Sequence, residues 1–514
     1  MREDAARKRT VPDRYIEKIL RARVYEVARE TPLEEAPRLS QRLGQRVLLK
    51  REDLQPTFSF KVRGAYNKLA GLDPERTARG VIAASAGNHA QGVALAASRL
   101  GFPVVIVMPR TTPDIKVAAV SALGAEVVLF GDSYDDAQGH ARELSAARGL
   151  EAIHPFDDDD VIAGQGTIGV ELLRQCAGPL DAVFVPVGGG GLIAGIATYL
   201  KFLRPEVRVI GVEPEGAACL SAALEAGRPV DLADVDLFAD GVAVRRVGDE
   251  PFRLLKERLD GVVRVDTDEI CGAILDLYQD TRSIAEPAGA LAVAGLKKYV
   301  AAKDLPSSTL AAVVSGANLN FHRLRHISER VELGEQREAI LAVTIPERPG
   351  SFRQFCIALG DRSVTEFNYR HMGGREAHVY VGIQLGGKPG EREAVISDLE
   401  REGYAVVDLT HNELAKIHTR HLVGGRAPQA GEERVFAFDF PERPGALRSF
   451  LDRLSEDLNI TLFHYRNHGA AVGRVLAGLQ HNAGDAARIR QFLDEVGYSY
   501  REETDNPAYR IFLS

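Results

Sequence analysis

Asp181-Ala-Val-Phe-Val-Pro-Val187 runs into Gly188-Gly189-Gly190-Gly191 and then into Leu192-Ile-Ala-Gly-Ile-Ala-Thr-Tyr-Leu-Lys-Phe-Leu203. The apolar, β-branched run reads as a buried strand, and the stretch after the glycines as a helix. Residues without Cβ let backbone amides converge at such a junction, and the helix N-terminus adds partial positive charge, so the turn suits a phosphate dianion. A nucleotide and a phosphorylated cofactor both remain open as owners. Neither a P-loop nor a dinucleotide fingerprint is present, because Gly188 and Gly190 are followed by Ile193 where the fingerprint needs glycine. A plain flexible loop against a helix is the third reading, and residues elsewhere in the chain must decide.

Working outward, apolar runs alternate with helical patterns from about residue 80 to 315: Val81–Ala84, Val104–Met108, Val127–Phe130, Ala182–Val187, Val207–Val212 and Leu310–Ser315. The alternation predicts an α/β fold with parallel sheets covered by helices on both faces, and ligands at the carboxyl ends of strands. The 514 residues are too many for one core, and a net charge of -8 without a basic block argues against nucleic acid and anionic membranes as partners. Cys176, Cys219, Cys271 and Cys356 stand apart in apolar settings, which fits reduced thiols. The charged start Met1-Arg-Glu-Asp has no apolar run behind it, and no stretch nears the ~18 apolar residues of a membrane span. A cytoplasmic protein is expected.

Beyond about residue 330 the chain repeats itself. Thr344-Ile-Pro-Glu-Arg-Pro-Gly-Ser-Phe352 recurs as Asp439-Phe-Pro-Glu-Arg-Pro-Gly-Ala-Leu447, and Glu366-Phe-Asn-Tyr-Arg370 as Leu462-Phe-His-Tyr-Arg466. Each copy predicts a βαββαβ, ferredoxin-like module. In the first, strands at Ala339–Ile345, Val364–Met372 and Ala377–Leu385 join helices at Ser351–Leu359 and Glu391–Glu402, with a hairpin turn at Gly373-Gly374. The second repeats this with Val435–Phe440, Ala446–Asp457, Ile460–His468, Gly473–Leu479 and Ala486–Val496.

Three more clusters end a strand or open a helix. In Thr57-Phe-Ser-Phe60-Lys61-Val-Arg-Gly an apolar-flanked lysine follows two phenylalanines; held among them it would lose hydration, lower its pKa and become a usable nucleophile, while a lysine that snorkels to solvent is the other reading. Ser85-Ala86-Gly87-Asn88-His89 follows a strand and opens a helix, a setting for a carboxylate, with an amide that can meet a ring hydroxyl and a histidine suited to structural hydrogen bonding; a plain N-cap by Asn88 or Ser85 is the other reading. Ser315-Gly-Ala-Asn318 closes the last strand without the elbow of a serine hydrolase.

Together, in this order, these motifs resemble the fold-type II pyridoxal-phosphate enzymes, specifically the threonine dehydratases, and the repeated tail resembles the paired ACT-like regulatory domains of their biosynthetic form. The resemblance implies a catalytic domain of two parallel-sheet subdomains over residues 1–330, and α+β modules at 338–410 and 433–505. It implies that Lys61 carries the cofactor as a Schiff base beside Phe60 and later acts as the base at the substrate Cα. Asn88 would bind the ring hydroxyl, Gly188, Gly189, Gly190, Gly191 and Leu192 the phosphate, and Ser315 the ring nitrogen. Ser85, Ala86, Gly87, Asn88, His89 and Glu286 of Glu286-Pro-Ala-Gly289 would surround the substrate, with Ala288 where the family usually has serine.

The implied reaction is β-elimination of L-threonine, and of L-serine, to a 2-oxo acid and ammonia, the first step of isoleucine biosynthesis. The tail implies inhibition by isoleucine opposed by valine, with Glu347, Arg348, Gly350, Phe352, Glu442, Gly445 and Leu447 at the effector sites, in a homotetramer. Glu213-Pro-Glu-Gly-Ala217 is reminiscent of a cation site in some relatives, but one carboxylate pair is thin, and no required metal is expected.

Overall fold

The computed structural model describes residues 11–334, 337–346, 351–360, 362, 364–369, 376–388, 390–419, 432–441, 450, 453, 460–466, 472–481 and 486–512. Its contacts divide it into two compact units, Met1–Phe321 and His322–Ser514.

The first unit holds two sheets. Strands β1 (Leu33–Glu35), β2 (Arg46–Arg51), β10 (Thr309–Val314), β7 (Ala182–Pro186), β8 (Arg208–Pro214) and β9 (Gly261–Val265) lie side by side in that order. All neighbours are parallel except β1 with β2. The smaller sheet has the order β5 (Glu126–Leu129), β4 (Val104–Met108), β3 (Val81–Ala84) and β6 (Glu151–Ala152), parallel throughout. Central strands β4, β7 and β10 are buried at every residue, as apolar runs covered on both faces must be.

Strand β2 corrects the expectation that sheet structure begins near residue 80. Its sequence, Arg46-Val-Leu-Leu-Lys-Arg51, looks half polar, yet Val47 to Arg51 are buried. The charges are tolerated because they are paired. Lys50 Nζ meets Glu171 Oε2 at 2.6 Å, and Arg63 bridges Glu171 Oε1 at 2.6 Å and Glu52 Oε2 at 2.7 Å, all four side chains being fully buried. This closed set ties β2 to two helices, Lys61–Ala70 and Asp159–Gln175. The latter helix also packs on the helix Gly191–Leu203 so closely that a Cβ on Gly195 would sit 2.4 Å from the Ile162 carbonyl oxygen. Small residues therefore set the distance between these two helices.

The second unit holds two antiparallel sheets. Strands β12 (Val364–Tyr369), β13 (Glu376–Gln384), β11 (Glu338–Pro346) and β14 (Ala405–Asp408) form one; β16 (Ile460–Arg466), β17 (Val472–His481), β15 (Glu432–Pro441) and β18 (Tyr500–Glu502) form the other. Both orders are second, third, first, fourth within their copy, the ferredoxin-like arrangement the repeat predicts. The turn at Gly373-Gly374 and most of the helix expected over Ala446–Asp457 lie outside the described residues.

One face of each sheet meets its own helices: Phe355, Leu359, Val395 and Leu399 in the first copy, Phe450, Ile489, Phe492 and Leu493 in the second. The opposite faces share a core, in which Ile340, Ala342 and Tyr380 pack with Val435, Leu476 and Tyr509. Each copy ends in a short helix, Glu413–Ile417 or Pro507–Phe512. Their leading asparagines meet: Asn412 Oδ1 accepts from Ala415 N, Asn506 Oδ1 accepts from Ala508 N, and Asn412 Nδ2 donates to Asn506 Oδ1 at 3.1 Å.

Candidate active site

The carboxyl ends of three parallel strands supply the site, as expected for ligands on open α/β sheets. Strand β3 leads through Ser85–Gly87 into the helix Asn88–Leu100, β7 through the glycines into Gly191–Leu203, and β10 into Ser315 and Gly316.

Lys61 is the first residue of its helix. Its Nζ donates to the Pro155 carbonyl at 3.0 Å and lies 5.3 Å from the Phe60 ring centroid. Phe58 does not complete the expected pair of flanking rings, because it is 57% exposed. Desolvation pushes the half-buried Lys61 amine down to about 8, against an opposing pull from Glu286.

Asn88 and Glu286 form the next part. Asn88 Nδ2 donates to Glu286 Oε1 at 2.6 Å, while Asn88 Oδ1 accepts from Asn318 Nδ2 at 2.6 Å. Asn318 also donates to the Thr57 carbonyl at 2.8 Å, joining the lysine segment to the asparagine. Glu286 is buried and precedes the helix Pro287–Ala301, its amide donating to Gly316 O. His89 turns elsewhere: Nε2 meets the Ile153 carbonyl at 3.0 Å, and burial, then the nearby Lys61 charge, push its pKa down to about 3. A neutral ring must therefore carry its proton on Nε2. Ser315 is buried, and its hydroxyl donates to Ala288 O at 3.2 Å.

The glycine run is fixed by its neighbours. Gly190 has φ +90°, and a Cβ on Gly189 would stand 2.3 Å from atoms of the Phe156 ring. A larger residue at either position would strain the backbone or displace Phe156. The first-turn amides of Gly191–Leu203 have no intrahelical acceptors, so they and the dipole face whatever binds at the turn.

These residues form a ring of neighbours: Lys61 donates to Pro155; a Cβ on Gly189 would meet Phe156, one on Gly188 would meet Val242, and one on Gly241 would lie 3.7 Å from Asn88 and Glu286; and Asn318 joins Asn88 to the lysine segment. Lys61, Ser85, Ala86, Gly87, Asn88, Phe156 and Gly188 keep partial exposure, as the lining of a cleft does. Sequence reasoning missed Pro155, Phe156, Gly241 and Asn318 as members. Asn318 stood inside a quoted motif, whereas no local signal marks a backbone carbonyl such as that of Pro155.

Glu347, Arg348, Gly350, Glu442, Gly445 and Leu447 lie outside the described residues, as does the side chain of Phe352. No group of three or more His, Cys, Asp or Glu placed to hold a metal occurs among the described residues. The Glu213 carboxylate is taken up by protein donors, Leu220 N at 2.7 Å, Ser221 N at 2.9 Å and Ser221 Oγ at 2.7 Å. No described helix is long and apolar enough to cross a membrane.

Comparison with known proteins matches this geometry to a family. Residues 24–316 fit the model of pyridoxal-phosphate dependent enzymes, and residues 329–419 and 424–513 fit that of the C-terminal regulatory domain of threonine dehydratase. The chain is 57% identical over 503 residues to the L-threonine dehydratase biosynthetic IlvA of Burkholderia multivorans, covering 97% of this chain and 99% of that protein. The chain belongs to the biosynthetic threonine dehydratases.

It is also 54% identical over 501 residues to the Escherichia coli IlvA, covering 97% of both chains. Among solved structures, the processed form of threonine deaminase isoform 2 from Solanum lycopersicum superimposes with a TM-score of 0.61 at 51% identity, covering 62% of this chain and 93% of that one. Maize serine racemase follows the same fold with a TM-score of 0.58 at 31% identity, covering 62% of this chain and 98% of that one. As a family member this threonine dehydratase is a pyridoxal-phosphate lyase, and its residues fit that cofactor. A half-buried amine with lowered pKa suits an aldehyde, and a glycine turn at a helix N-terminus suits a phosphate. In addition, two buried hydroxyls beside Lys61, Thr57 Oγ1 and Ser59 Oγ, have no hydrogen-bond partner.

Proposed function

We propose that this threonine dehydratase converts L-threonine to 2-oxobutanoate and ammonia by β-elimination, opening isoleucine biosynthesis in the cytoplasm, and that it also accepts L-serine. The observation that carries the reading is the Lys61 amine, lowered to about 8 at the mouth of a helix and within the ring that joins Asn88 to the glycine turn.

Bound pyridoxal phosphate supplies the sink for the electrons left at Cα. Lys61 would hold it covalently, and as a free amine its Nζ would receive the Cα proton of the substrate. The loop Ser85 to Asn88, at the N-terminus of Asn88–Leu100, seats the substrate carboxylate, while the His89 ring stays pinned to Ile153. Asn88 would bind the ring hydroxyl, Gly188 to Leu192 the phosphate, and Ser315 would place a neutral oxygen at the ring nitrogen. Glu286 stands beside the substrate. Loss of the β-hydroxyl as water leaves an enamine, which tautomerises and is hydrolysed to the oxo acid and ammonia.

We assign catalysis to residues 1–330 and regulation to the modules at 338–410 and 433–505. Isoleucine inhibits and valine opposes it, with Glu347, Arg348, Gly350 and Phe352 in one copy and Glu442, Gly445 and Leu447 in the other as contact residues, in a homotetramer. The duplicated regulatory modules support this part of the reading. The test is 2-oxobutanoate release from L-threonine with and without isoleucine. Release that fails in wild type would reject the activity, and release indifferent to isoleucine would reject the regulation.

A further inference from the structure

Ser59 is fully buried, and its hydroxyl has no hydrogen-bond partner. Buried hydroxyls without partners are uncommon enough in folded proteins to require an explanation. Its direction follows from the backbone. Ser59 pairs with Gly316 in an isolated antiparallel bridge, flanked by Phe60 N to Ser315 O at 3.1 Å and Ala317 N to Phe58 O at 2.9 Å. This is the narrow, non-hydrogen-bonded kind of pair, whose opposed side chains leave on the same face of the ladder.

On that face, a Cβ at Gly316 would fall 2.4 Å from Glu286 Oε1 and 3.3 Å from Asn88 Nδ2. Glycine at 316 leaves this space to the Glu286 and Asn88 side chains, and the Ser59 side chain leaves the ladder toward them. The residue between the two orphaned hydroxyls, Phe58, holds φ at +53°, a left-handed conformation that bulky residues rarely adopt. Its amide and carbonyl are both fixed, by Gln55 O and Ala317 N, so the segment is locked rather than loose.

We propose that Ser59 is a further cofactor-binding residue, its hydroxyl donating to the ring oxygen of pyridoxal phosphate beside Asn88. The electrostatics require a second donor there. The ring oxygen bears negative charge when ionised and would lie next to the Glu286 carboxylate, and one N–H of Asn88 is already held by Glu286 at 2.6 Å. The Asn88 amide then bridges the two anionic oxygens with its two N–H groups, and Ser59 completes the ring oxygen's set of donors. This inference rests on the assignment of Asn88 to that oxygen.

Ser59→Ala and Ser59→Cys, the second preserving size while removing the strong donor, are compared with wild type as full-length protein, stripped of cofactor and reloaded. Cofactor affinity by fluorescence titration is expected to weaken about 10- to 150-fold in both, the loss of one charge-assisted hydrogen bond. The melting temperature of the cofactor-free variants should stay level or rise, and their gain on loading should shrink. Unchanged affinity in both variants, a loss in Ser59→Ala alone, or equal drops in stripped and loaded melting temperatures would overturn the proposal. Asn88→Ala separates the two failures. If it weakens binding while the Ser59 variants do not, only Ser59 is misassigned; if it leaves binding unchanged, the placement of the ring oxygen is wrong and this proposal falls with it.

Discussion

Lys61 donates its amine to the carbonyl of Pro155, and the next residue, Phe156, packs its ring against Gly189. The catalytic lysine and the phosphate turn are thus held through one short segment, and the state of the amine is set by that enclosure.

Cofactor loading should therefore have an early pH plateau. The amine must be neutral to attack an aldehyde, and with a pKa near 8 its neutral fraction rises through pH 8 and levels off above it. An ordinary lysine would keep gaining up to about pH 10.4. The rate at which the visible band forms after mixing stripped protein with pyridoxal phosphate measures this, and a rate still climbing at pH 10 would refute it. Lys61→Ala should form no such band and lose at least ~10³-fold in turnover.

Gly189→Ala drives a methyl group to within 2.3 Å of the Phe156 ring. Moving that ring shifts Pro155, the partner of Lys61, so the damage reaches the amine as well as the turn. Cofactor affinity should fall by about tenfold or more, with about 1–3 kcal/mol lost from the stability of the stripped protein. Equilibrium dialysis and urea titration read the two effects separately.

Arg63→Met leaves Glu52 and Glu171 buried with one cation, Lys50, between them. A cost of about 3–5 kcal/mol is expected in urea unfolding of the first unit, the scale for an uncompensated buried charge. If the variant unfolds like wild type, the cluster does not hold β2 to its helices.

Glu413 gives the second unit an acid dependence. Burial pushes its pKa up, but Arg330 and Lys416 outweigh that and hold the carboxyl at about 2. A folded pKa below the unfolded one stabilises at neutral pH, and the gain fades as pH falls from about 4.3 toward 2. Arg330→Ala should thus destabilise at pH 7 and do so less at pH 3.5. Chemical denaturation at the two pH values decides; an equal deficit at both would show that the ion pair is not its source.

The sequence disclosed what periodicity and local motifs can carry. Strands β3, β4, β7 and β10 and the helices Ser351–Leu359 and Ala486–Val496 were legible because their apolar patterns are long and undisturbed. Strand β2 was hidden because Lys50 and Arg51 break the pattern, and only the distant Glu171, 121 residues away, explains why lysine is tolerated there. In the site, Lys61, Asn88, the glycines and Ser315 stood in motifs. The Pro155 carbonyl and the pairing of Ser59 with Gly316 arise from chain crossings that no local pattern records.

The joined asparagines of the second unit have a consequence for how its two copies can change. Elsewhere the duplicates have already diverged at matched positions: Thr344 with His378 on one sheet stands where Asp439 with Arg474 stands on the other. Asn412 and Asn506 lack that freedom, because each caps its own helix and one binds the other. Replacing either removes the cap of its own helix and, with it, the bond to the other module. Whatever divergence the copies accumulate must leave this joint intact, so that two once-equal halves can become chemically unlike while remaining mechanically one piece.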